Sequence, residues 1–194
     1  MTLYHNKYRI ETTRLKGWDY SSDGSYFVTI CTLDRYQLFG HIDNEQMVLN
    51  QYGAIVNQCW FDLPNHYWNI RLDAFVIMPH HVHGIVVIDN KQTNGKIGTF
   101  VETGLVETTG LVETGLKPVS TPHHGLFEFI RAFKTFSARR INELRNSPGV
   151  TVWQSRFHDH VIRDEGELCR IRQYIIDNPK NWNWENSSDN QLLM

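Results

Sequence analysis

Hydrophobic positions along this chain follow two different spacings, which predict strands in some segments and helices in others. Short runs of apolar and β-branched residues predict strands over residues 26–32, 71–78, 81–88 and 150–162, the last of them bent. Apolar residues three and four positions apart predict helices over residues 50–67, 125–146 and 164–178. Short apolar pieces on either side of residues 43–45 predict a small hairpin.

The order of these elements indicates a fold class. Strand, helix, strand, strand, helix and strand, followed by one more helix, is the pattern of an α+β, ferredoxin-like (split βαβ) fold. We expect an antiparallel sheet with helices on one face and an extra C-terminal helix that carries Tyr174. The 194 residues predict a single domain over residues 1–194.

Residues 91–123 differ in character from the rest of the chain. The hexapeptide Thr-Gly-Leu-Val-Glu-Thr occurs at 103–108 and again at 109–114. A period of six residues is far shorter than that of a helical or propeller repeat. We interpret 91–123 as a low-complexity insert that forms a disordered loop, with a short β-helical rung as the alternative.

Composition limits the partners and the location of the protein. The net charge of −2 neither indicates nor excludes nucleic-acid binding. The three cysteines form no Cys-x-x-Cys pair, so neither a disulfide framework nor a zinc ribbon is predicted. No apolar run is long enough to span a membrane, so no membrane partner is expected. The N-terminus lacks the apolar segment of a secretory signal, and a cytoplasmic location is expected.

A histidine cluster lies between the two central strands, in the sequence Pro79-His80-His81-Val82-His83. Because side chains alternate along a strand, His81 and His83 are predicted on one face and His80 on the opposite face. Two adjacent neutral imidazoles could form half of a divalent metal site. The alternative is a pair of polar side chains on a solvated strand.

The last predicted helix carries a second candidate group. Tyr174 and Asn178 are four residues apart and therefore share a helix face. A tyrosine can attack a phosphate as a covalent nucleophile, and an amide oxygen beside it could complete a metal site. The alternative is that Tyr174 only packs in the core.

Basic residues on and before the second helix are candidates for contact with a nucleic-acid backbone. The candidates are Arg131, Lys134, Arg139 and Arg140 on the helix and Arg14 and Lys16 near the N-terminus. A solvated charged face is the alternative. His80, His160 and Gln154 are candidate accessory residues.

Several stretches resemble a known family, and they occur in its order along the chain. They are residues 14–20, 26–32, 75–84, 139–144, 152–154, 160–165 and 171–179, which include Met-Pro-His-His-Val-His-Gly and Gln-Tyr-Ile-Ile-Asp-Asn-Pro. On these motifs the chain resembles the REP-associated tyrosine transposases of the single-tyrosine HUH nuclease superfamily. It departs from them at His80, where the family usually has asparagine, and in the repeat insert.

The resemblance implies a reaction and a set of roles. His81 and His83 would be metal ligands, Asn178 the third ligand and Tyr174 the nucleophile, with Mg²⁺ or Mn²⁺ as cofactor. The implied partner is single-stranded or hairpin DNA, which is cut through a 5′-phosphotyrosine intermediate by a monomer or homodimer. Whether Tyr174 serves the histidines of its own chain or those of a partner stays open. The alternatives are a catalytically silent DNA- or RNA-binding module and a metal-dependent phosphohydrolase.

Overall fold

A computed structural model describes residues 14–91 and 124–182, together with the strand pairs at 3–4 and 7–8. Its strands are β1 (Leu3–Tyr4), β2 (Lys7–Tyr8), β3 (Gly24–Cys31), β4 (Gly40–Asp43), β5 (Gln46–Leu49), β6 (Ile70–Met78), β7 (His81–Ile88) and β8 (His158–Ile162). Its helices are α1 (Gln51–Phe61), α2 (Leu63–His66), α3 (Leu126–Leu144) and α4 (Glu165–Asp177), and a 3₁₀ turn spans Leu33–Arg35.

A four-stranded sheet forms the centre of the fold. Its strand order is β6-β7-β3-β8, and every neighbouring pair is antiparallel. This α+β arrangement, with sequential strands β6 and β7 paired and β3 between β7 and β8, confirms the predicted fold class. The predicted small hairpin is also present, as β4 and β5.

The two faces of the sheet bury separate apolar clusters. Alternate residues of β7, such as Val82 and Val86, pack with side chains of α1 and α3. Ile85 points to the other face and packs with Ile175 of α4. The helix that carries Tyr174 therefore lies on the face of β7 opposite to α1 and α3.

Gly84 has a structural role in the larger cluster. A Cβ atom at this position would lie 2.8 Å from Cη2 of Trp60, whose ring stacks on Phe75 at 4.5 Å. From the sequence, this glycine is expected to give another group room beside the histidines. The group that approaches it is the Trp60 indole, on the face that does not carry His81 and His83.

Two predicted element boundaries are wrong. The helix predicted over 50–67 is broken at Asp62 into α1 and α2, and Pro64 lies in the first turn of α2 instead of marking a helix exit. Proline is tolerated there because the first backbone N–H groups of a helix have no intrahelical acceptor. Of the strand predicted over 150–162, only His158–Ile162 forms a regular strand, while Trp153 makes an isolated antiparallel bridge with Thr32 and its Nε1 donates to Ser137 at 3.0 Å.

Helix α4 is capped and attached to the sheet by specific polar contacts. The Asp164 carboxylate caps the N-terminus of the helix by accepting from Glu167 N at 2.8 Å. Arg172 donates to both carboxylate oxygens of Asp73 on β6, at 2.9 and 2.7 Å. The Arg172 guanidinium also holds the pKa of Asp73 below its usual range. This bidentate pair fixes α4, and with it Tyr174, against the sheet.

Within the described residues, no helix is long and apolar enough to cross a membrane. Apart from Lys91, the segment predicted as an insert lies outside the described residues.

Candidate active site

Two histidine side chains meet on the face of β7 that α4 covers. His81 and His83 pair across the sheet with Cys31 and Thr29 of β3, which fixes both residues in the β3–β7 ladder, with His81 at its end. Their Nε2 atoms are 3.0 Å apart, and the two residues are only 1% and 3% exposed. The predicted convergence of this pair is therefore present in the fold.

Both imidazoles are neutral in this environment. Burial, with smaller contributions from the charges of His158 and His80, lowers the pKa of His83 to about 3. Burial likewise holds the pKa of His81 well below its ordinary value, with smaller contributions from His83 and His80. A neutral imidazole has a lone pair, which is the form that binds a metal ion.

The hydroxyl of Tyr174 lies beside this pair. Its oxygen is 3.3 Å from Nε2 of His83, and the two ring centres are 5.2 Å apart. The phenol ring also meets Phe27 of β3 edge-on, at 6.1 Å between centres. A single chain thus brings the tyrosine of α4 to the histidines of β7, in the cis arrangement that the sequence left open.

Asn178 is the third group at this site. It caps the C-terminus of α4 in helical conformation, one turn after Tyr174. Its side chain is close enough to His81 to raise the pKa of that histidine against the larger effect of burial. The four predicted site residues of β7 and α4 are therefore neighbours in space.

The donor set suits a divalent cation with mixed nitrogen and oxygen ligands. Two ligands at right angles around a metal, each at about 2.1 Å, are about 3.0 Å apart. The Nε2 atoms of His81 and His83 have this separation. Among residues 14–91 and 124–182, no three His, Cys, Asp or Glu side chains are grouped to hold a metal, so a third protein ligand would be an oxygen such as that of Asn178.

His80 belongs to the same cluster, and its predicted orientation is wrong. It is 1% exposed, and its Nδ1 is 2.9 Å from Nδ1 of His81. His80 lies in the turn before β7, where strand alternation does not apply. Its carbonyl accepts from N and Oγ1 of Thr32, at 2.9 Å each, which holds this turn in place.

Two further residues touch the cluster and are not identified by the sequence pattern. Oγ1 of Thr29 lies 2.8 Å from Nδ1 of His83, where it can accept the Nδ1–H and leave Nε2 as the lone-pair nitrogen. The Trp182 ring lies 5.0 Å from the His80 ring and 6.0 Å from the His81 ring. The contact of Thr29 with His83 can be predicted only when the β3–β7 register is known. Trp182 follows α4, and no local sequence motif identifies its contact with the histidines.

The remaining accessory candidates lie outside these contacts. His160 pairs with Glu167 of α4, with Nε2 2.8 Å from Oε1. Gln154 uses its backbone, donating to the Cys31 carbonyl at 2.9 Å. Neither residue has a contact with Tyr174 or the histidine pair among the described interactions.

The predicted DNA-contact residues on α3 lie on the opposite layer from Tyr174. Arg131 and Arg139 are exposed, and Arg139 pairs with Glu143 at 3.7 Å. Arg140 donates to Sγ of Cys59 at 3.5 Å, and Lys134 donates to the carbonyls of Gln154 and Ser155 at 2.5 and 3.1 Å. Their role in DNA binding remains a prediction.

Both N-terminal candidates are exposed, and Arg14 also contacts neighbouring side chains. The Arg14 guanidinium lies 4.2 Å above the centre of the Phe127 ring, and its Nε is 3.6 Å from Oδ1 of Asp159. Asp159 points away from His158 and His160, as strand alternation predicts, and is buried. Lys16 remains a candidate for phosphate contact because its side chain faces solvent.

Comparison with known proteins gives one clear relative. No family model matches the chain. An uncharacterized protein of Haemophilus influenzae is 38% identical over 172 residues, which is 87% of this chain and 87% of that protein. This chain belongs to the family of that Haemophilus protein. Identity at this level over nearly the whole length indicates that the two proteins share the fold described above.

A solved structure extends the comparison to a characterised fold. The structure of a REP-associated tyrosine transposase bound to a REP hairpin matches 91% of this chain and 76% of that chain, with a TM-score of 0.54 and 17% sequence identity. The similarity shows that this chain has a transposase-like fold.

Proposed function

We propose that this protein is a metal-dependent, single-stranded DNA endonuclease and strand transferase of the transposase type, with a 5′-phosphotyrosine intermediate. The observation that carries the proposal is the 3.3 Å separation between the Tyr174 hydroxyl and Nε2 of His83 within one chain. The hairpin bound to the similar transposase supports a DNA substrate.

The chain provides a nucleophile aligned with a ligand pair. Tyr174 Oη attacks the scissile phosphorus, the bond from phosphorus to the 3′ oxygen breaks, and the leaving strand ends in a 3′-hydroxyl. An ordinary tyrosine has a pKa near ~10, so the phenol loses its proton to water only as the bond forms, and the departing 3′ oxygen takes up a proton from water. Phe27 and the His83 ring hold the phenol in position for that attack.

His81, His83 and Asn178 would hold the cation, Mg²⁺ or Mn²⁺. When bound, such an ion withdraws charge from the phosphate oxygens and lowers the barrier to attack. Buried, neutral imidazoles favour binding over proton uptake, and Thr29 and His80 fix the orientation of the two rings. The phosphotyrosine bond replaces a phosphodiester bond, so resealing by a 3′-hydroxyl needs no nucleotide cofactor.

A nicking assay tests the proposal. Wild-type protein with Mg²⁺ or Mn²⁺ should cut a labelled hairpin oligonucleotide and give a protein–DNA adduct that survives a denaturing gel. The Tyr174→Phe variant should bind the same DNA but form neither product. Tyr52→Phe on α1, on the other face of the sheet, is the matched control and should behave as wild type.

The outcomes separate the alternatives. Binding without any cleavage by wild-type protein would indicate a silent nucleic-acid-binding module. Metal-dependent phosphate release from small esters that persists in Tyr174→Phe would indicate a phosphohydrolase. Either result would overturn the proposed reaction.

A further inference from the structure

A cleft opens beside the histidine cluster, between the turn that follows β3 and Trp182, which lies after the end of α4. Its volume is about 690 Å³, and its walls include Arg35, Tyr36, Pro79 and Trp182. This volume falls in the range of about 300–1,000 Å³ that is common for small-ligand sites. One wall, Trp182, also packs against His80 and His81, so the cleft adjoins the candidate active site.

Hydrogen bonds fix the cleft to the histidine turn. Backbone N–H groups of Leu38 and Phe39 donate to the Pro79 carbonyl, at 2.8 and 3.1 Å. Oγ1 of Thr32 lies 2.8 Å from the Tyr36 carbonyl and 2.9 Å from the His80 carbonyl, so its single hydroxyl proton is shared between the two. These contacts join the loop that carries Tyr36 to the residues directly before His81, so the distance between the cleft and the ligand pair is set by the fold.

The loop holds its polar and aromatic side chains in a strained backbone. Asp34 and Arg35 are consecutive non-glycine residues with φ of 50° and 54°. The left-handed region is unfavourable for such residues, and it is found both in tight turns and at functional sites. The next residue, Tyr36, is 68% exposed at the wall of the cleft.

The side chains of the cleft match an unpaired nucleotide. Exposed aromatic rings beside a cationic side chain are the usual means of binding single-stranded nucleic acid, because bases stack on the rings and the cation attracts phosphate. Arg35 is close enough to act electrostatically on His81, so its charge reaches the candidate active site. The carboxylate of Asp34, also in the wall, can accept from the exocyclic amino group of a base.

We propose that this cleft binds one unpaired nucleotide of the DNA strand that Tyr174 attacks. Its base lies against Tyr36 and Trp182, and its phosphate lies toward Arg35. The inference rests on the proposed function for the identity of the strand. It adds a subsite that places the scissile phosphate and makes cleavage depend on a base a short distance away.

Abasic substitution tests the subsite. Full-length protein with Tyr174→Phe keeps the strand intact, so binding can be measured by fluorescence anisotropy in Mg²⁺ with a hairpin oligonucleotide that has a single-stranded flank. Replacing each flank nucleotide in turn by an abasic unit should reveal one position at which affinity falls by roughly 5- to 150-fold. Adding Tyr36→Ala should reduce that penalty to less than about twofold, whereas Tyr36→Phe, which keeps the ring, should preserve it.

Phe61→Ala is the matched control, since Phe61 is an exposed aromatic residue, 55% accessible, on the opposite face of the sheet. It should leave the abasic penalty unchanged. A penalty that is absent, or that is equal in Tyr36→Ala and in the parent, would overturn the subsite. A deoxynucleoside monophosphate that displaces the oligonucleotide at a concentration similar to that of the oligonucleotide would also contradict the subsite. The cleft would then be a site for a free small nucleotide and not for part of a DNA strand.

The two proposals fail separately. If the protein forms a Tyr174-dependent adduct but shows no abasic penalty that depends on Tyr36, the subsite proposal fails and the nuclease proposal stands. A Tyr36-dependent abasic penalty with no adduct in the wild-type protein would leave the subsite and refute the nuclease.

Discussion

Acidification should unfold the metal-free protein in large part through His83. The folded state holds this imidazole neutral with a pKa of about 3, because 97% of the residue's surface is withdrawn from water. In the unfolded chain a histidine takes up a proton near pH ~6.5. Between these values only the unfolded state is protonated, so stability falls as the pH falls.

The expected size of the effect follows from that difference. Each pH unit below about 6.5 costs about 1.4 kcal/mol, so His83 alone removes about 2 kcal/mol by about pH 5. Its full contribution approaches about 5 kcal/mol by about pH 3. Urea unfolding in EDTA at several pH values between about 7 and 5 measures this slope.

A His83 variant isolates this effect, since His83→Gln should flatten the slope by about one proton. The ring signals of His83 in NMR should show no titration down to about pH 5. Equal slopes in wild type and His83→Gln, or a His83 ring that titrates near pH ~6.5, would refute the buried neutral imidazole.

Three further outcomes are expected. Gly84→Ala should destabilise the protein by about 1–3 kcal/mol in urea unfolding, because the added methyl group meets the Trp60 ring, and wild-type stability would contradict that packing. Thr29→Val should weaken Mn²⁺ binding, measured by calorimetry, by roughly 10- to 100-fold while Thr29→Ser binds as wild type, and an unchanged Thr29→Val would exclude the hydroxyl from orienting the ring. The Asp73–Arg172 pair should stabilise the fold above about pH 4, and this contribution should shrink as the pH falls through the lowered pKa of Asp73. In a plot of melting temperature against pH, Asp73→Asn should therefore decline less at acidic pH than wild type.

Local patterns were enough to predict the elements that carry the candidate site. The period of two placed His81 and His83 on one face of β7, and strand bounds of 81–88 match the structure. The capping residue Asp164 and the spacing of Tyr174 and Asn178 are also local features, so α4 and its polar face could be predicted. That the histidines of β7 and the tyrosine of α4 belong to one site was implied by the resemblance to transposases.

Contacts that depend on tertiary structure were not predictable in the same way. The orientation of His80 depends on which residue begins β7, and a shift of one residue reverses the expected face. Pro64 has the same local chemistry whether it ends one helix or begins the next. Thr29 and Trp182 reach the histidines from distant parts of the chain, through strand pairing and the path after α4.

Identification of the modified residue is the most direct test of the central claim. Trypsin should release residues 173–180, Gln-Tyr-Ile-Ile-Asp-Asn-Pro-Lys, in which Tyr174 is the only hydroxyl-bearing side chain. After wild-type protein is incubated with a hairpin oligonucleotide and Mn²⁺ and then treated with nuclease, mass spectrometry should find this peptide linked to a 5′-phosphorylated nucleotide. A DNA strand that is cut while this peptide remains unmodified, or a nucleotide linked to another residue, would contradict the account.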